Sequence, residues 1–486
     1  MGAAAAGGPV LVASNRGPLS FSRGPDGRLT ARRGGGGVVS GLLAAASQAD
    51  LLWVCAALSD ADRDAARAAP GGRLPLDDAG SARSAALMLD IPAATFAAAY
   101  NGIANSTLWF IHHLLYNLPR QPGFGVSFWN QWSAYTDYNR AFATALARAA
   151  GDGGQPRALV QDYHLALVPR MLAELRPGIR ISHFSHTPWA PPDYYRVLPD
   201  RVAREILAGI LGADHAGFLS QRWADAFADC CAAVLGAEVD RSGQRVTYDG
   251  HVTTLGVHAL GVDAGELRQR AAQPDVEDRV ADLTELAGGR QLIVRIDRTE
   301  LSKNIVRGLA AYRELLVSRP QWRGRVMHLA FAYPSRYDLP EYRAYTAAVQ
   351  QEAEQITAEF GTPDWTPLVV RVDDDYARSL AAYRVADVVL VNPVRDGMNL
   401  VAKEAPIVSD RGCALVLSRE AGAAAELGEA ALLVNPFDVT GTAAALHEAL
   451  SMPPAERADR SARLAAAGAA VPPQRWLAGQ LAALEG

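Results

Sequence analysis

Short apolar runs alternate along this chain with longer segments that have the periodicity of amphipathic helices. In the second half, helix-length intervals separate such runs, which occupy residues 292–296, 326–331, 368–372, 388–391, 414–417 and 432–434. Strands that are apolar throughout, with helices between them, are typical of a parallel sheet covered on both faces. The pattern therefore predicts a doubly wound parallel sheet in the second half of the chain.

The first half repeats this pattern, and its strands end in polar residues. Apolar runs at residues 10–13 and 158–160 are each followed by polar side chains, the segment 181–189 has the same form, and residues 165–175 read as a connecting helix. In a βαβ unit both polar ends lie at the same edge of the sheet, where open α/β sheets bind ligands. The first half is therefore predicted to form a second parallel-sheet domain.

The chain length favours more than one domain. At 486 residues the chain is too long for a single hydrophobic core, and Gly261 and Gly265 mark a boundary between the halves. We assign residues 1–262 to the first domain, residues 263–470 to the second, and residues 471–486 to a C-terminal helix. Whether this helix packs back on the first domain stays open.

Composition narrows the class of protein. A net charge of −5 and a pI near 6.1 argue against general affinity for nucleic acid or for an anionic membrane. The four cysteines lack metal-ligand spacing, so we expect reduced packing thiols and neither a metal nor another cofactor. Because no signal-peptide pattern and no charge-free run of membrane-spanning length occur, we expect a soluble cytoplasmic protein.

The most informative stretch is P-V-R-D-G-M-N-L-V-A-K-E, at residues 393–404, directly behind the apolar run 388–391. A glycine-containing turn before a helical pattern predicts a helix start at residues 397–400, where unpaired amides and the helix dipole attract phosphate. Asp396 would lie at the turn and Glu404 about two turns further along the helix, both within reach of a sugar nucleotide. The alternative, a helix cap at Asp396 and a solvated Glu404, stays open.

Three cations follow other strands of the second half. Arg298 and Lys303 come after the run 292–296, and Arg336 closes the next strand. The first two would neutralise a leaving diphosphate without a metal, and the third suits a second phosphate on an acceptor. Taken singly, each of these residues also fits an ordinary surface charge.

The first half supplies further candidates at its strand ends. These are Arg16 after the run 10–13, Asp162 after 158–160, and His186, which is 24 residues beyond Asp162. Tyr100 and Trp109 could line a sugar pocket or simply pack in the core. The glycines at 34–37 could bring backbone close to a ligand or form a flexible turn.

These motifs together resemble the trehalose-6-phosphate synthases of glycosyltransferase family 20. The resemblance runs from about residue 10 to residue 436, and its motifs are S-N-R, G-G before the first helix, Y-N-x-x-x-N-S-x-L-W, D-Y-H-L, H-x-P-W, D-R-x-E-x-x-K, P-S-R and R-D-G-M-N-L-V-A-K-E. It implies the α/β fold called GT-B, with two Rossmann-like doubly wound parallel-sheet domains facing a central cleft. The first domain would bind the acceptor and the second the nucleotide sugar.

The resemblance also implies a role for each candidate residue. The residues implied to bind the donor are Gly37, His186, Arg298, Lys303, Asp396, Met398, Asn399, Leu400 and Glu404, with the last on the ribose. The residues implied to bind the acceptor are Arg16, Tyr100, Trp109, Asp162 and Arg336. The catalytic set is Asp162, His186, Arg298, Lys303 and Asp396.

The implied reaction is a retaining glucosyl transfer from UDP-glucose or GDP-glucose to glucose 6-phosphate, which gives trehalose 6-phosphate. The chain departs from the usual family pattern in having Q-D-Y-H for H-D-Y-H and R-T-E-L-S-K-N for R-L-D-Y-x-K-G. The second pattern is also similar to that of pseudo-glycosyltransferases that couple cyclitols, such as validoxylamine 7′-phosphate synthase. That activity and a non-catalytic sugar-phosphate sensor are the alternatives; the donor base (uracil, guanine or adenine), the oligomeric state and regulation stay open.

Overall fold

The computed structural model describes residues 10–33, 51–76, 84–151 and 155–485. The chain divides into two compact units, one formed by Met1–Ala259 with Pro473–Gly486 and the other by Leu260–Pro472. The division falls close to the predicted boundary at residue 262. Each unit has its own sheet and its own helices.

The first unit contains a large, mainly parallel sheet. Its strands are β1 (Val10–Ala13), β4 (Leu51–Ala56), β5 (Arg73–Pro75), β6 (Ser84–Leu89), β7 (Arg157–Gln161), β8 (Arg180–Ser185), β9 (His215–Phe218), β10 (Glu238–Asp240), β11 (Arg245–Tyr248) and β12 (His251–Val257), while β2 (Leu19–Arg23) and β3 (Leu29–Arg33) form a separate hairpin. The described strands follow the order β10-β11-β12-β9-β8-β7-β1-β4-β6-β5. Strands β1, β7 and β8 lie side by side and parallel, so their polar carboxyl ends meet at one edge.

Helices connect and cover these strands. They are Asp60–Ala68, Ala93–Ala97, the π-helical segment Ala98–Leu108, Trp109–His112, Val126–Ala149, Val168–Leu175, Pro192–Tyr195, Asp200–Ile210 and Gln221–Cys230, with a π-helical turn at Cys231–Leu235. The C-terminal helix Pro473–Ala482 packs on the same unit. Its Trp476 is buried and meets Phe184 edge to face, with ring centroids 5.2 Å apart.

The second unit contains a sheet that is parallel throughout its described strands. These are β13 (Gln291–Arg298), β14 (Val326–Tyr333), β15 (Leu368–Arg371), β16 (Val388–Val391), β17 (Ala414–Ser418) and β18 (Leu432–Val434), in the order β15-β14-β13-β16-β17-β18. All the apolar runs predicted to be strands here are strands. The central strands could be predicted because both of their faces are buried, and β16 is apolar and buried at every position.

The helices of the second unit lie between and after these strands. They are Ala264–Ala271, Pro274–Ala287, Ile305–Ser318, Pro340–Phe360, Tyr376–Val385, Val401–Val408, Ala424–Leu427, Val439–Ser451 and Pro454–Ala469. The core on one face of the sheet is formed by Ile305, Leu309, Tyr312, Leu446 and neighbouring buried residues. This core holds the strands rigidly, so the loops at their carboxyl ends start from fixed points.

Candidate active site

Two backbone hydrogen bonds of Asp396 fix the loop between β16 and the helix Val401–Val408 to the loop that follows β17. The amide of Asp396 donates to the carbonyl of Glu420 over 3.2 Å, and its carbonyl accepts from the amide of Gly422 over 3.1 Å. Gly422 is required at this close approach, because a Cβ there would lie 1.9 Å from the carbonyl oxygen of Gly397. The start of the helix therefore has a defined place at the strand end.

Three backbone amides precede this helix, those of Met398, Asn399 and Leu400. None of them has an acceptor within the part of the chain that the structure describes. The first turn is closed by Asn399, whose side-chain oxygen accepts from the amide of Ala402 over 3.3 Å. Amides at a helix N-terminus, together with the helix dipole, attract anions. The stretch offers the chemistry needed to hold a phosphate oxygen.

Lys303 and Asp396 form an ion pair beside these amides. The ammonium lies 2.6 Å from the Oδ2 atom of Asp396, and the two side chains are 14% and 15% exposed. Burial lowers the pKa of Lys303, but Asp396 and Asp297 raise it by more than burial lowers it. The net pKa therefore lies above the ordinary value, and the ammonium stays charged. Asp396 also accepts from the amide group of Asn399 over 3.1 Å. The carboxylate of Asp396 therefore contacts two side chains, Lys303 and Asn399, which is not the arrangement expected if it served as a helix cap.

Asn304 explains why Lys303 lies here. The turn Leu301–Lys303 ends at Asn304, which has a φ of 57° and so adopts the left-handed conformation that Gly takes most readily and Asn tolerates. Its side-chain amide donates to the carbonyls of Asn392 and Pro436 over 3.0 and 2.8 Å. The side chain of Asn304 therefore ties this turn to the two loops around it.

A buried carboxylate brings Arg298 and Arg336 together. Glu300 is fully buried, and its Oε1 atom lies 3.1 Å from Arg298 Nη1 and 3.9 Å from Arg336 Nη1. The same oxygen accepts from the hydroxyl of Ser335 over 2.8 Å. Burial raises the pKa of Glu300, but Arg298 and Arg336 lower it more, so its net pKa is depressed and the group is ionised.

Glu300 was not among the residues predicted to form the site. Its signal in the sequence is weak, because a carboxylate two residues after an arginine usually lies in solvent. Arg336 is held further by Tyr342: it donates to the phenol oxygen over 2.6 Å and covers the ring at 5.6 Å. Arg298, in contrast, is 54% exposed. One guanidinium is thus fixed and the other is open to solvent.

Glu404 lies in the first turn of the helix Val401–Val408 and is partly buried. The phenol of Tyr383 donates to its Oε2 atom over 3.4 Å. Burial raises the pKa of Glu404, and the hydrogen bond from Tyr383 offsets part of that rise. The carboxylate can accept hydrogen bonds from ligand hydroxyls, so it is not the fully solvated charge of the alternative reading.

Asp162 and His186 meet in the first unit, at the adjoining ends of β7 and β8. The amide of His186 donates to Asp162 Oδ1 over 3.2 Å, and the amide of Asp162 donates to the carbonyl of Phe184 over 2.7 Å. Asp162 has a φ of 73° and a ψ of 169°, a backbone conformation otherwise limited almost entirely to glycine, so this aspartate is strained. This turn aims the carboxylate across the strand ends.

The ring of His186 is fixed by its neighbours. Its Nε2 atom lies 3.0 Å from Gln161 Oε1, and its ring packs against Phe184 and Trp476 at centroid distances of 4.7 and 5.5 Å. Burial lowers the pKa of His186 to about 3, and His183 adds to that lowering. His186 is therefore a neutral imidazole at ordinary pH.

Tyr100 and Trp109 join one group of stacked rings. Tyr100 stacks on His164 at 5.5 Å, Trp109 stacks on His113 at 3.9 Å, and Tyr163 lies between the two stacks, 4.1 Å from His164 and 5.9 Å from Trp109. Trp109 is buried and Tyr100 is partly exposed. His164 Nδ1 lies 3.7 Å from Asp162 Oδ2, so the aromatic group adjoins the carboxylate.

Arg16 follows β1 and is exposed. The residues before it are fixed: Ser14 accepts from the indole of Trp53 over 2.7 Å, and Asn15 accepts from the phenol of Tyr138 over 2.6 Å. Within the described residues, no ion pair holds its guanidinium. The other glycine-rich candidate, Gly37, lies outside the described residues.

Two further features of the described residues concern metal binding and membrane insertion. No group of three or more His, Cys, Asp or Glu side chains in residues 10–33, 51–76, 84–151 and 155–485 is arranged to hold a metal ion. Among the helices of those same ranges, none combines the length and apolar character required to cross a bilayer. The cysteines are free and buried.

The sequence model described as "Glycosyltransferase family 20" matches residues 9–485. A probable UDP-forming alpha,alpha-trehalose-phosphate synthase of Arabidopsis thaliana is 34% identical, over 93% of this chain and 54% of its own length. A UDP-forming alpha,alpha-trehalose-phosphate synthase of Emericella nidulans is 31% identical, over 92% of this chain and 86% of its own length. The chain thus spans about half the length of the plant relative and most of the fungal one.

Solved structures are similar over nearly the whole chain. A UDP-forming synthase from Burkholderia vietnamiensis gives a TM-score of 0.85 at 29% identity, covering 99% of this chain and 98% of that one. An E. coli structure bound with UDP-2-fluoro glucose gives 0.84 at 28%, covering 98% and 99%. A Burkholderia xenovorans synthase in complex with glucose-6-phosphate gives 0.84 at 26%, covering 99% and 100%. The predicted GT-B class, with doubly wound parallel sheets, is confirmed.

Proposed function

We propose that this chain, which belongs to glycosyltransferase family 20, transfers glucose from a nucleoside-diphosphate glucose to glucose 6-phosphate and so forms trehalose 6-phosphate. The observation that carries the proposal is the pairing of Lys303 with Asp396 beside the amides that precede a helix. A cation, free amides and a carboxylate in one place suit a sugar nucleotide, which presents phosphate oxygens next to sugar hydroxyls.

The donor is assigned to the second unit. Arg298 and Lys303, with the amides of residues 398–400, would take up the charge of the diphosphate, and Glu404 would accept from ribose hydroxyls. The E. coli relative bound with UDP-2-fluoro glucose supports a uridine donor. UDP-glucose and GDP-glucose are the two donors proposed.

The acceptor is assigned to Arg16, Tyr100, Trp109, Asp162 and Arg336. Arg336 would bind the phosphate of glucose 6-phosphate, because its guanidinium is fixed by Tyr342 and Glu300 and a planar fork matches phosphate oxygens. The relative in complex with glucose-6-phosphate supports this acceptor. Asp162 and the aromatic group beside it would meet the sugar hydroxyls.

We propose that the transfer retains the configuration at the anomeric carbon without a covalent enzyme intermediate. The bond from that carbon to the diphosphate oxygen breaks, the acceptor hydroxyl forms a new bond on the same face, and its proton passes to the departing diphosphate. Arg298 and Lys303 stabilise the charge that develops on the leaving group. Asp162, His186 and Asp396 orient the transferred glucose, which lowers the entropic cost of reaching the transition state.

A coupling of cyclitols is the second candidate, and the motif D-R-T-E-L-S-K-N is the observation that favours it. Both activities would use the same cations for a leaving diphosphate. They differ in the ring that is transferred and in the acceptor, so substrates distinguish them.

A substrate panel tests the proposal. The purified chain is incubated with glucose 6-phosphate and UDP-, GDP- or ADP-glucose, and in a parallel arm with a nucleoside-diphosphate cyclitol and a phosphorylated aminocyclitol. We expect trehalose 6-phosphate from the uridine or guanosine donor, detected by mass spectrometry. Product from the cyclitol arm alone would contradict trehalose 6-phosphate synthesis and support the coupling of cyclitols. No product in any arm, from protein that still binds a nucleoside diphosphate, would support the sensor instead.

A further inference from the structure

A series of hydrogen bonds runs from the C-terminal helix to His186, entirely within the first unit. Gln480 donates from Nε2 to the carbonyl of Trp476 over 3.3 Å. Gln161 donates from Nε2 to Gln480 Oε1 over 3.4 Å, and Gln161 Oε1 lies 3.0 Å from His186 Nε2. Both glutamines are almost completely buried. Water therefore has little access to either amide, and each relies on its neighbour.

The first acceptor gives this series one direction. A backbone carbonyl can only accept, so the nitrogen of the Gln480 amide must face Trp476 and its oxygen must face Gln161. Gln161 then turns its nitrogen toward Gln480 and its oxygen toward His186. An amide oxygen cannot donate, so the proton of this hydrogen bond must belong to His186 Nε2.

The protonation state of the other ring nitrogen, Nδ1, follows from the charge of the ring. Burial keeps the imidazole neutral, since the pKa of His186 is lowered to about 3. A neutral imidazole with its proton on Nε2 has an unprotonated Nδ1, which can only accept. Among the residues that the structure describes, none forms a hydrogen bond with His186 Nδ1. A ligand hydroxyl is the partner that suits it.

We propose that Gln480 and Gln161 are positioning residues that hold His186 as the Nε2–H tautomer, so that Nδ1 accepts a hydrogen bond from a hydroxyl of the transferred glucose. The part that concerns glucose rests on the proposed function, whereas the tautomer does not. Because Nδ1 can only accept a hydrogen bond, the sugar position that faces it must carry a group that donates one. A fluorine at that position has similar size and cannot donate.

The first experiment reads the tautomer directly. Protein labelled with ¹⁵N-histidine is examined by long-range ¹H–¹⁵N correlation, with His186→Asn used for assignment. We expect a pyrrole-type Nε2 and a pyridine-type Nδ1 in the unsubstituted protein. A pyridine-type Nε2 would overturn the proposal, whether or not the protein is active with any donor. This arm therefore fails or succeeds independently of the proposed function.

The second experiment breaks the series at its anchor. Gln480→Leu removes the amide and keeps an apolar side chain of similar length in the buried site, so Gln161 can rotate and both tautomers of His186 can be populated. Gln474→Leu, at an exposed position of the same helix, is the matched control. We expect signals of both tautomers in Gln480→Leu and an unchanged spectrum in the control. An unchanged spectrum in folded Gln480→Leu would overturn the proposal.

Kinetics connect the tautomer to the sugar. The donors for this test carry fluorine in place of one glucose hydroxyl at a time. At one position of the sugar, we expect the fluorine to lower kcat/KM of the unsubstituted protein by about tenfold or more beyond the loss that the same donor shows with Gln480→Leu. The reason is that an Nδ1–H tautomer no longer requires a donor from the ligand. Equal discrimination in the unsubstituted protein and Gln480→Leu would contradict the role of the two glutamines.

Discussion

His186 in the first unit and Lys303 in the second differ in the charge of their surroundings. The ring of His186 is neutral, is bonded to the first of two linked buried amides and packs against aromatic rings, although its backbone amide donates to the carboxylate of Asp162. In the second unit, Lys303 is paired with Asp396, and Glu300 lies against two guanidinium groups. A neutral ring nitrogen without a proton selects ligand groups that can donate a hydrogen bond, whereas fixed charges bind phosphate. We therefore expect the strand ends of the two sheets to recognise different groups of a ligand.

The second unit also offers a comparison within itself. The sequence contains two lysines, Lys303 and Lys403. Lys403 is fully buried and its ammonium lies 2.8 Å from Glu426 and 3.0 Å from the carbonyl of Leu260. Burial lowers the pKa of Lys403 more than Glu426 raises it, the opposite of the net shift at Lys303. One lysine faces the candidate site and the other holds the fold.

The largest effect is expected from Lys303→Met. Removal of the ammonium leaves the developing charge of the diphosphate without its buried partner, so kcat/KM should fall by about 10²- to 10³-fold. Steady-state kinetics with the best donor of the panel measure it. Lys403→Met is the matched control, assayed below its own unfolding transition. An equal fall in both variants would remove the distinction between the two lysines.

Lys403→Met should act on stability instead. It leaves the partly buried Glu426 without its cation, and breaking a pair of this kind costs up to about 3 kcal/mol of the free energy of unfolding. Urea unfolding followed by circular dichroism measures the loss. Replacing both members, with Lys403→Met and Glu426→Met, should recover part of it because no unpaired charge remains. A single variant as stable as the unsubstituted protein would show that the pair contributes nothing.

The neutral histidines of the first unit should make it sensitive to acid. Burial lowers the pKa of His183 to about 4, so between its ordinary pKa near 6.5 and pH 4 the unfolded chain binds a proton that the folded chain does not. Stability contributed by this group is therefore lost as the pH falls, by about 2 kcal/mol between pH 6.5 and 5. His183→Gln should show a shallower loss in urea unfolding at several pH values. Parallel curves for the two proteins would contradict this cause.

Arg336→Ala gives a smaller and more selective effect. The loss of one fixed guanidinium should raise the KM for glucose 6-phosphate about tenfold and change the KM for the donor much less. Initial rates over a grid of both substrates separate the two constants. Arg343→Ala, a neighbouring arginine that donates to the carbonyls of Tyr337 and Asp338, serves as the control. An equal rise for donor and acceptor would contradict the assignment of Arg336.

The buried parallel strands were the part of the fold that the sequence predicted best, because continuous apolar runs have few other interpretations. The strands β4 and β6 were not predicted although they are buried. The strands β10 to β12 were missed as well. They mix exposed and buried positions at an antiparallel end of the sheet.

The same limit applies to the site. Charged residues directly after strands, such as Arg298 and Asp162, could be picked from position alone. Glu300 could not, because its importance lies in complete burial between two arginines. Gln480 is 319 residues away from Gln161 along the chain, and no local pattern connects them. Polar networks that depend on long-range packing become visible only in the fold.

Transfer from a donor labelled with ¹³C at the anomeric carbon tests the central claim most directly. The labelled nucleoside-diphosphate glucose is mixed with unlabelled glucose 6-phosphate and the protein, and the product is followed by ¹³C NMR. We expect one new labelled signal from an α,α-linked disaccharide phosphate, formed at the same rate as the nucleoside diphosphate is released. A β-linked product, or labelled free glucose with no disaccharide, would contradict it.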